Sequence, residues 1–325
     1  MNTRTSGQPV PVTIITGYLG SGKTTLLNAL LAGDHGLRVA VIQNEFGEIA
    51  VDNDLVLGLE EEMITLANGC ACCTARGDII DAVEQLLDGP ARFDRIVIET
   101  SGVATPGPVV MTLATHDDAG DRFVLDGVVA LADGANVARQ LQHAPEAADQ
   151  LAYADVIVLN KRDLVSADEL HAAEASIRAI NPSAPIERTA YARIAPELAL
   201  EVGGFDHRRV EELLGGAETA GMPAVRHERG VRSVAIGSGL GVNTARFEEW
   251  MEMLLQTHHG NIYRVKGVLN VAEHPRRYVV QAVHGLWSRQ FGGMWGSAVR
   301  GSRIVVIGRE LDERSLRDGF GACLE

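Results

Sequence analysis

The sequence predicts an α/β protein: a doubly wound, mostly parallel sheet, followed by a second, smaller α+β domain at the C-terminal end. Three observations carry that reading. Short, nearly continuous apolar runs alternate with longer helical patterns through roughly the first 200 residues, as in a parallel sheet buried on both faces. A glycine-rich turn joins the first of these runs to the first helix. Beyond the glycine-rich stretch that ends at Gly221-Met222-Pro223, strand patterns follow one another with few helices between them, which favours an antiparallel sheet.

Taken in order, Val12–Thr16 reads as a strand and Thr24–Leu31 as a helix. Arg38–Ile42 and Met63–Leu66 read as the next buried strands. Asp78–Leu87 puts Ile79, Ile80, Val83, Leu86 and Leu87 on one helix face. Arg95–Glu99, Gly127–Leu131 and Val156–Asn160 complete the parallel set. Glycine pairs at Gly203-Gly204 and Gly215-Gly216 punctuate the connection that follows, so a domain over 9–215 is expected before one over 224–325. In the second, Val231–Ile236, Ile262–Val271, Arg277–Val283 and Arg303–Ile307 read as strands. Phe247–Leu255 and Leu311–Leu324 read as helices, and Phe247, Trp250, Met251 and Leu254 form a core stripe.

Composition narrows the partners. The 325 residues hold 29 basic and 43 acidic side chains, a formal charge of −14. Residues 1–220 carry 15 basic and 33 acidic groups, whereas 221–325 carry 14 and 10. Such a chain is a poor partner for nucleic acid or for an anionic membrane surface, whose phosphates are met by Lys and Arg. Its longest apolar runs are strand-sized, against about 20 residues for a bilayer span. The N-terminus is polar, unlike a secretory signal. A soluble, cytoplasmic protein is expected. Four cysteines are too few for a disulfide scaffold, yet Cys70, Cys72 and Cys73 fall within four positions.

Gly17-Tyr18-Leu19-Gly20-Ser21-Gly22-Lys23-Thr24 fits the phosphate-binding pattern G-x-x-x-x-G-K-[ST] between a strand and a helix. Its glycines let backbone N–H groups turn inward around phosphate oxygens, and the helix N-terminus adds its positive dipole end. Gly17, Gly20, Ser21 and Gly22 form the cradle, with Lys23 toward the β/γ phosphates, Thr24 on Mg²⁺ and Thr25 beside it. Asn160-Lys161-Arg162-Asp163 fits N-K-x-D after a strand. The Asp163 carboxylate can accept two hydrogen bonds from guanine, a donor pair that adenine lacks, while the Lys161 stem lies along the base. GTP is the expected nucleotide. Glu99 ends an apolar strand and is the candidate acid on the Mg²⁺ side; Gly102, three positions on, is placed to offer its N–H to the γ-phosphate.

Asn68-Gly69-Cys70-Ala71-Cys72-Cys73 lies between a strand and a helix. Three thiols on one short loop can converge on one thiophilic ion, and the nearby helix N-terminus and Arg76 favour their thiolates. No second pair of ligands exists, so the site keeps an open position, suited to an ion that enters and leaves. Zn²⁺ is expected first, with Co²⁺ an alternative. A buried apolar cluster and a redox-sensing thiol set are the competing readings. Glu48, after Gln43-Asn44-Glu45-Phe46-Gly47, is a candidate metal ligand, a switch residue or a solvated loop acid. His116 is a weaker ligand candidate, and His258-His259 reads as a polar helix end.

These motifs, in this order, resemble those of the CobW-like P-loop GTPases, relatives of the GTPases that insert nickel into urease and hydrogenase. The resemblance extends through Arg264-Val265-Lys266-Gly267, Gln281-Ala282-Val283-His284 and Val306-Ile307-Gly308-Arg309, so it spans nearly the whole chain. It implies a GTP-hydrolysing metallochaperone, slow without its client, that delivers zinc or cobalt to a metalloprotein. GTP and Mg²⁺ would order Asn44–Asp54 against the thiol loop, and hydrolysis would release the ion. A client metalloprotein is the implied partner, and homo-oligomer formation is left open. The chain departs from the pattern at Gln43, where relatives often have Glu, at Thr105 before Pro106, and in lacking a His-rich tract around His227.

Overall fold

The structure, a computed structural model, describes residues 7–44, 63–66, 75–215, 230–258 and 260–325. Cys70, Cys72, Cys73 and Glu48, with the rest of the proposed switch segment through Asp54 and also His227 and His259, lie outside the described residues.

Seven strands form the first sheet: β1 (Val10–Gly17), β2 (Val39–Asn44), β3 (Met63–Leu66), β4 (Arg95–Glu99), β5 (Phe123–Asp133), β6 (Val156–Asn160) and β7 (Ile186–Arg188). Their order is β3-β2-β4-β1-β5-β6-β7, and every pairing is parallel. Helices α1 (Lys23–Leu31), α2 (Ala75–Asp88), α3 (Gly107–Thr115), α4 (Val137–His143), α5 (Pro145–Tyr153), α6 (Ala167–Ile180) and α7 (Glu197–Leu200) accompany it. The expected parallel α/β sheet is present, and its central strands are apolar because both faces are covered. Ile15, Leu26, Val41, Val97, Val129 and Val158 belong to one core cluster on it. The sequence pattern does not reveal β7: three residues, none of them buried, at a sheet edge leave little apolar signal to read.

The second sheet is antiparallel, in the order β11-β10-β9-β12-β8. Its strands are β8 (Val231–Ser238), β9 (Ile262–Asn270), β10 (Arg276–Val283), β11 (Leu286–Met294) and β12 (Ser302–Arg309). With them go α8 (His207–Gly215), α9 (Thr244–Thr257) and α10 (Glu313–Gly321). The Phe247–Leu254 stripe is core, as expected. Phe247, Trp250 and Phe320 meet in tilted and edge-on pairs 5.7 to 6.2 Å apart, over Val265, Tyr278 and Ile304. α9 starts where the Asn243 side chain accepts from the Arg246 N–H, and α10 where Asp312 accepts from Arg314 N–H. The expected final helix, Leu311–Leu324, is shorter: Asp312 caps its start and it ends at Gly321. β11 also escapes the sequence pattern, since it is an edge strand that stays mostly exposed.

The compact units are residues up to Ser176 with Ala184–Gly204, and Ile177–Ser183 with Phe205–Glu325. The division therefore falls at Gly204, ahead of the glycine pair at 215 expected to bound the first domain. α8 joins the second unit because Glu211 pairs with Arg277 at 3.1 Å and accepts from the Gly293 N–H, while Val210 and Leu214 are buried.

At the base of the first sheet the end of the first unit is clasped by charge. Asp126 accepts the Val202 N–H at 2.8 Å and the Gly203 N–H at 3.0 Å. Burial pushes the Asp126 carboxyl above its ordinary 3.8, against the pull of those N–H groups and of Arg95. A raised carboxyl takes up a proton on folding, so its contribution is complete below 3.8 and is lost as pH rises through the folded value. Urea titrations between about pH 4 and 7 should thus show wild type losing stability relative to Asp126→Asn as pH rises. A difference constant with pH would contradict this assignment.

Candidate functional site

β4, β1, β5 and β6 are adjacent and parallel, so their carboxyl ends bring three of the sequence motifs to one sheet edge. β1 is also where the strand order switches direction, the place where open α/β sheets bind ligands.

The phosphate loop is the turn from β1 to α1. Gly17 has φ 145°, and a Cβ there would come within 2.5 Å of the Leu131 carbonyl oxygen on β5, so no side chain fits. Gly22 stands at the N-cap of α1 with φ 108° and supplies no side-chain cap. The first N–H groups of α1 are therefore not taken by a capping side chain, which suits them to phosphate. Lys23 folds back over the loop and its Nζ donates to the Gly17 carbonyl at 2.9 Å. Gly20 and Thr25 are exposed, Thr24 is half-buried and Ser21 is buried. Ser21 holds the turn through its N–H to the Tyr18 carbonyl at 3.1 Å.

Glu99 is the last residue of β4 and is buried; its Oε2 accepts from Gln43 Nε2 at 3.0 Å. The two residues are register partners on β2 and β4. Gln43, expected to weaken a ligand role at its position, serves here to orient the Glu99 carboxylate. Thr100 anchors the next residue to β1, donating its N–H to the Ile15 carbonyl and its hydroxyl to Thr16 Oγ1 at 2.8 Å. Gly102 follows, close against the backbone of Leu19 in the phosphate loop.

At the end of β6 the three N-K-x-D residues do different things. Asn160 is buried and its carboxamide is used inside the protein: Nδ2 donates to the Ser21 carbonyl at 2.9 Å, and Oδ1 accepts the Ala192 N–H at 2.8 Å. It ties the end of β6 to the phosphate loop and to the turn after β7. Lys161 takes a left-handed backbone, φ 62°, and its Nζ reaches Asp133 Oδ2 at 2.8 Å. Asp163 lies exposed on a short 3₁₀ turn, Arg162–Leu164.

Asp133 is a site residue that the sequence motifs do not single out. It ends β5 opposite Asn160, and besides Lys161 it accepts from the Ala135 N–H and from Asn136 Nδ2. Burial would raise its pKa, but the Lys161 ammonium and those donors hold it below the usual carboxylate range. An acid closing the apolar run Val128–Ala132 was the available signal. His116 lies elsewhere: it follows α3, toward the end of the sheet where β5 begins. Glu84, His116 and Asp118 can bring ligand atoms within 4.8 Å of one another. Asp118 is already paired with Arg122 at 3.3 Å, however, and its N–H donates to His116 Nδ1.

Residues 11–188 match the family model described as CobW/HypB/UreG, nucleotide-binding domain, and residues 231–324 match the cobalamin synthesis protein cobW C-terminal domain. The chain belongs to the CobW family. Among its relatives, the zinc chaperone YjiA of Escherichia coli (strain K12) is 35% identical over 317 residues, covering 96% of this chain and 98% of the relative. The zinc chaperone CobW of a Sinorhizobium species is 32% identical over 348 residues, 97% of each chain. The Zn(II)-bound YjiA GTPase from E. coli superposes with a TM-score of 0.80 at 31% identity, over 98% of this chain and 99% of that one. In this CobW-family chain the nucleotide loop, the strand-end acid and the N-K-x-D turn thus share one edge of the N-terminal sheet. Among the described residues no helix is long and apolar enough to cross a membrane.

Proposed function

We propose that the chain hydrolyses GTP to GDP and phosphate and uses that cycle to hold and hand over a divalent metal, zinc before cobalt, to a client metalloprotein. The observation that carries this is the common edge: the phosphate loop, Glu99 and Asn160–Asp163 follow or end β1, β4 and β6 within the run β4-β1-β5-β6, and β3, whose end precedes the thiol motif, runs parallel in the same sheet. Cys70 follows the last residue of β3 by four positions. That the relatives YjiA and CobW are named zinc chaperones, and that YjiA is described as a Zn(II)-bound GTPase, adds support.

In this reading Gly17, Gly20, Ser21, Gly22, Lys23, Thr24 and Thr25 take the phosphates, and Asn160, Lys161 and Asp163 select guanine. Thr24 and Glu99 offer the hard oxygen donors that Mg²⁺ accepts, and the ion when bound draws charge from the phosphates. Lys23 leaves the Gly17 carbonyl for phosphate oxygen as nucleotide enters. Asp133 keeps the Lys161 stem extended along the sheet edge where the base lies. Cys70, Cys72 and Cys73, with Glu48, hold the metal cargo. The GTPase domain, expected over 9–215, is taken to end at the Gly204 division, and the C-terminal domain, expected over 224–325, to include α8. The setting is cytoplasmic, and the partner is a protein rather than nucleic acid or membrane.

Titration with Co²⁺ and Zn²⁺ in the presence of GTP or GDP tests the metal half. Thiolate-to-Co²⁺ absorption should appear with wild type and fall sharply in Cys72→Ala, and affinity should be higher with GTP. Linkage then requires metal to tighten GTP by the same factor. No thiolate band, together with a disulfide among the three cysteines, would favour a redox sensor on a GTPase scaffold. Equal metal affinity with GTP and GDP would sink the coupling.

A further inference from the structure

Gln150 lies on α5 and is 1% exposed. Its Nε2 donates to two backbone carbonyls of the turn after β4, Gly102 O at 3.1 Å and Ala104 O at 3.0 Å. The carboxamide cannot be reversed, because Oε1 would then face two carbonyl oxygens. Oε1 is itself buried, with no hydrogen-bond partner among the described residues. A fully buried polar side chain is thus held in place mainly by what it does to one turn.

That turn borders the phosphate loop. A Cβ on Gly102 would lie 3.0 Å from both the N and Cα of Leu19. A trans peptide points its C=O and N–H in opposite directions. With the carbonyls of Gly102 and Ala104 drawn toward α5, the N–H groups of Val103 and Thr105 face the other way. Val103 N–H meets only a long contact, 3.4 Å to Ser101 Oγ, and Val103 is 44% exposed. Thr100 fixes one end of the turn to β1, Leu19 limits it at Gly102, and Gln150 sets its tilt from outside the nucleotide loops. α5 leads directly into β6, the strand that ends in the N-K-x-D turn.

We propose that Gln150 is a positioning residue that presents the Gly102–Ala104 turn to the terminal phosphate, and so sets the preference for guanosine triphosphate over diphosphate. It rests on the GTP reading above. A planar amide with two donors is needed: glutamate cannot donate to two carbonyls, and leucine fills the space without donating.

The experiment compares wild type, Gln150→Leu and Gln150→Glu for affinity toward GDP and toward a non-hydrolysable GTP analogue with Mg²⁺, read by a fluorescent nucleotide. GDP affinity should stay within about twofold, whereas triphosphate affinity should fall about tenfold or more, the scale of one lost hydrogen-bonding arrangement. Equal shifts in both affinities, or none, would overturn the proposal. If neither variant folds, hydrogen exchange on the unaltered chain decides: the triphosphate analogue should protect the amides of residues 102–105 more than GDP does, and equal protection overturns the proposal. Failure of the unaltered chain to bind either guanine nucleotide would instead overturn the GTP reading.

Discussion

Lys23→Ala is expected to lower kcat for GTP hydrolysis about 10³-fold, a loss of roughly 4 kcal/mol of transition-state stabilisation. The reasoning starts from the loop. Its backbone N–H groups and the uncapped N-terminus of α1 contribute fixed partial charges, and Lys23 is the residue of the motif that brings a full cation. In the structure that cation sits on the Gly17 carbonyl at 2.9 Å, already at the mouth of the loop. Exchanging a carbonyl for phosphate oxygens requires a side-chain swing and no backbone change. The variant should therefore melt close to wild type, since Lys23 is half-buried and its hydrogen bond to the Gly17 carbonyl is local to the loop. Lys23→Arg is not expected to restore the rate, because a planar fork does not replace a compact ammonium. Steady-state phosphate release checks the prediction; a drop of less than about tenfold would show that the backbone cradle suffices.

The second large effect concerns stability. Arg95→Ala should cost about 3 kcal/mol and lower Tm by roughly 6–12 °C. The Arg95 side chain is 10% exposed. It donates from Nε to the Leu200 carbonyl at 2.7 Å and from Nη1 to the Asp94 carbonyl at 2.8 Å, and it meets Glu201 at 3.4 Å. Its charge also draws the Asp126 carboxyl down against the push of burial. Removing it takes a donor from two carbonyls and a nearby cation from a buried acid, the circumstance in which breaking a buried arrangement is most damaging. The segment Leu200–Gly203 should loosen first, so its amides should exchange faster before global unfolding. A loss below about 1 kcal/mol in urea unfolding would mean that Asp126 and its backbone donors hold this segment unaided.

Much of the nucleotide site is legible in the sequence. Gly17–Thr24, Glu99 and Asn160–Asp163 are short local patterns, and each sits where a strand ends, so their assembly at one edge follows from a parallel sheet. How those groups are held is not legible there. Gln43 meets Glu99 across 56 positions, and Lys161 meets Asp133 across 28. Gln150 reaches Gly102 across 48, and Asn160 reaches Ala192 across 32. None of these pairs has a spacing rule, because strand order and register place them side by side. Some elements are hidden for a related reason. β7 and β11 are sheet edges, where partial exposure dilutes the apolar pattern. α8 falls on the far side of the domain division from the one its glycine pair suggests, because its affiliation depends on Glu211 finding Arg277 and Gly293.

Residue type and close spacing are enough to specify the chemistry on offer: a phosphate cradle with its lysine, a carboxylate suited to guanine, a strand-end acid and a cluster of three thiols. Chain connectivity alone enforces such properties, so they can be read along the sequence. Three other matters are settled in the folded chain and nowhere else. They are which side chains orient the site, where the first compact unit ends, and that a buried glutamine on α5 holds the turn beside the phosphate loop. Each depends on which distant groups packing brings within about 3 Å, where a buried donor must find an acceptor.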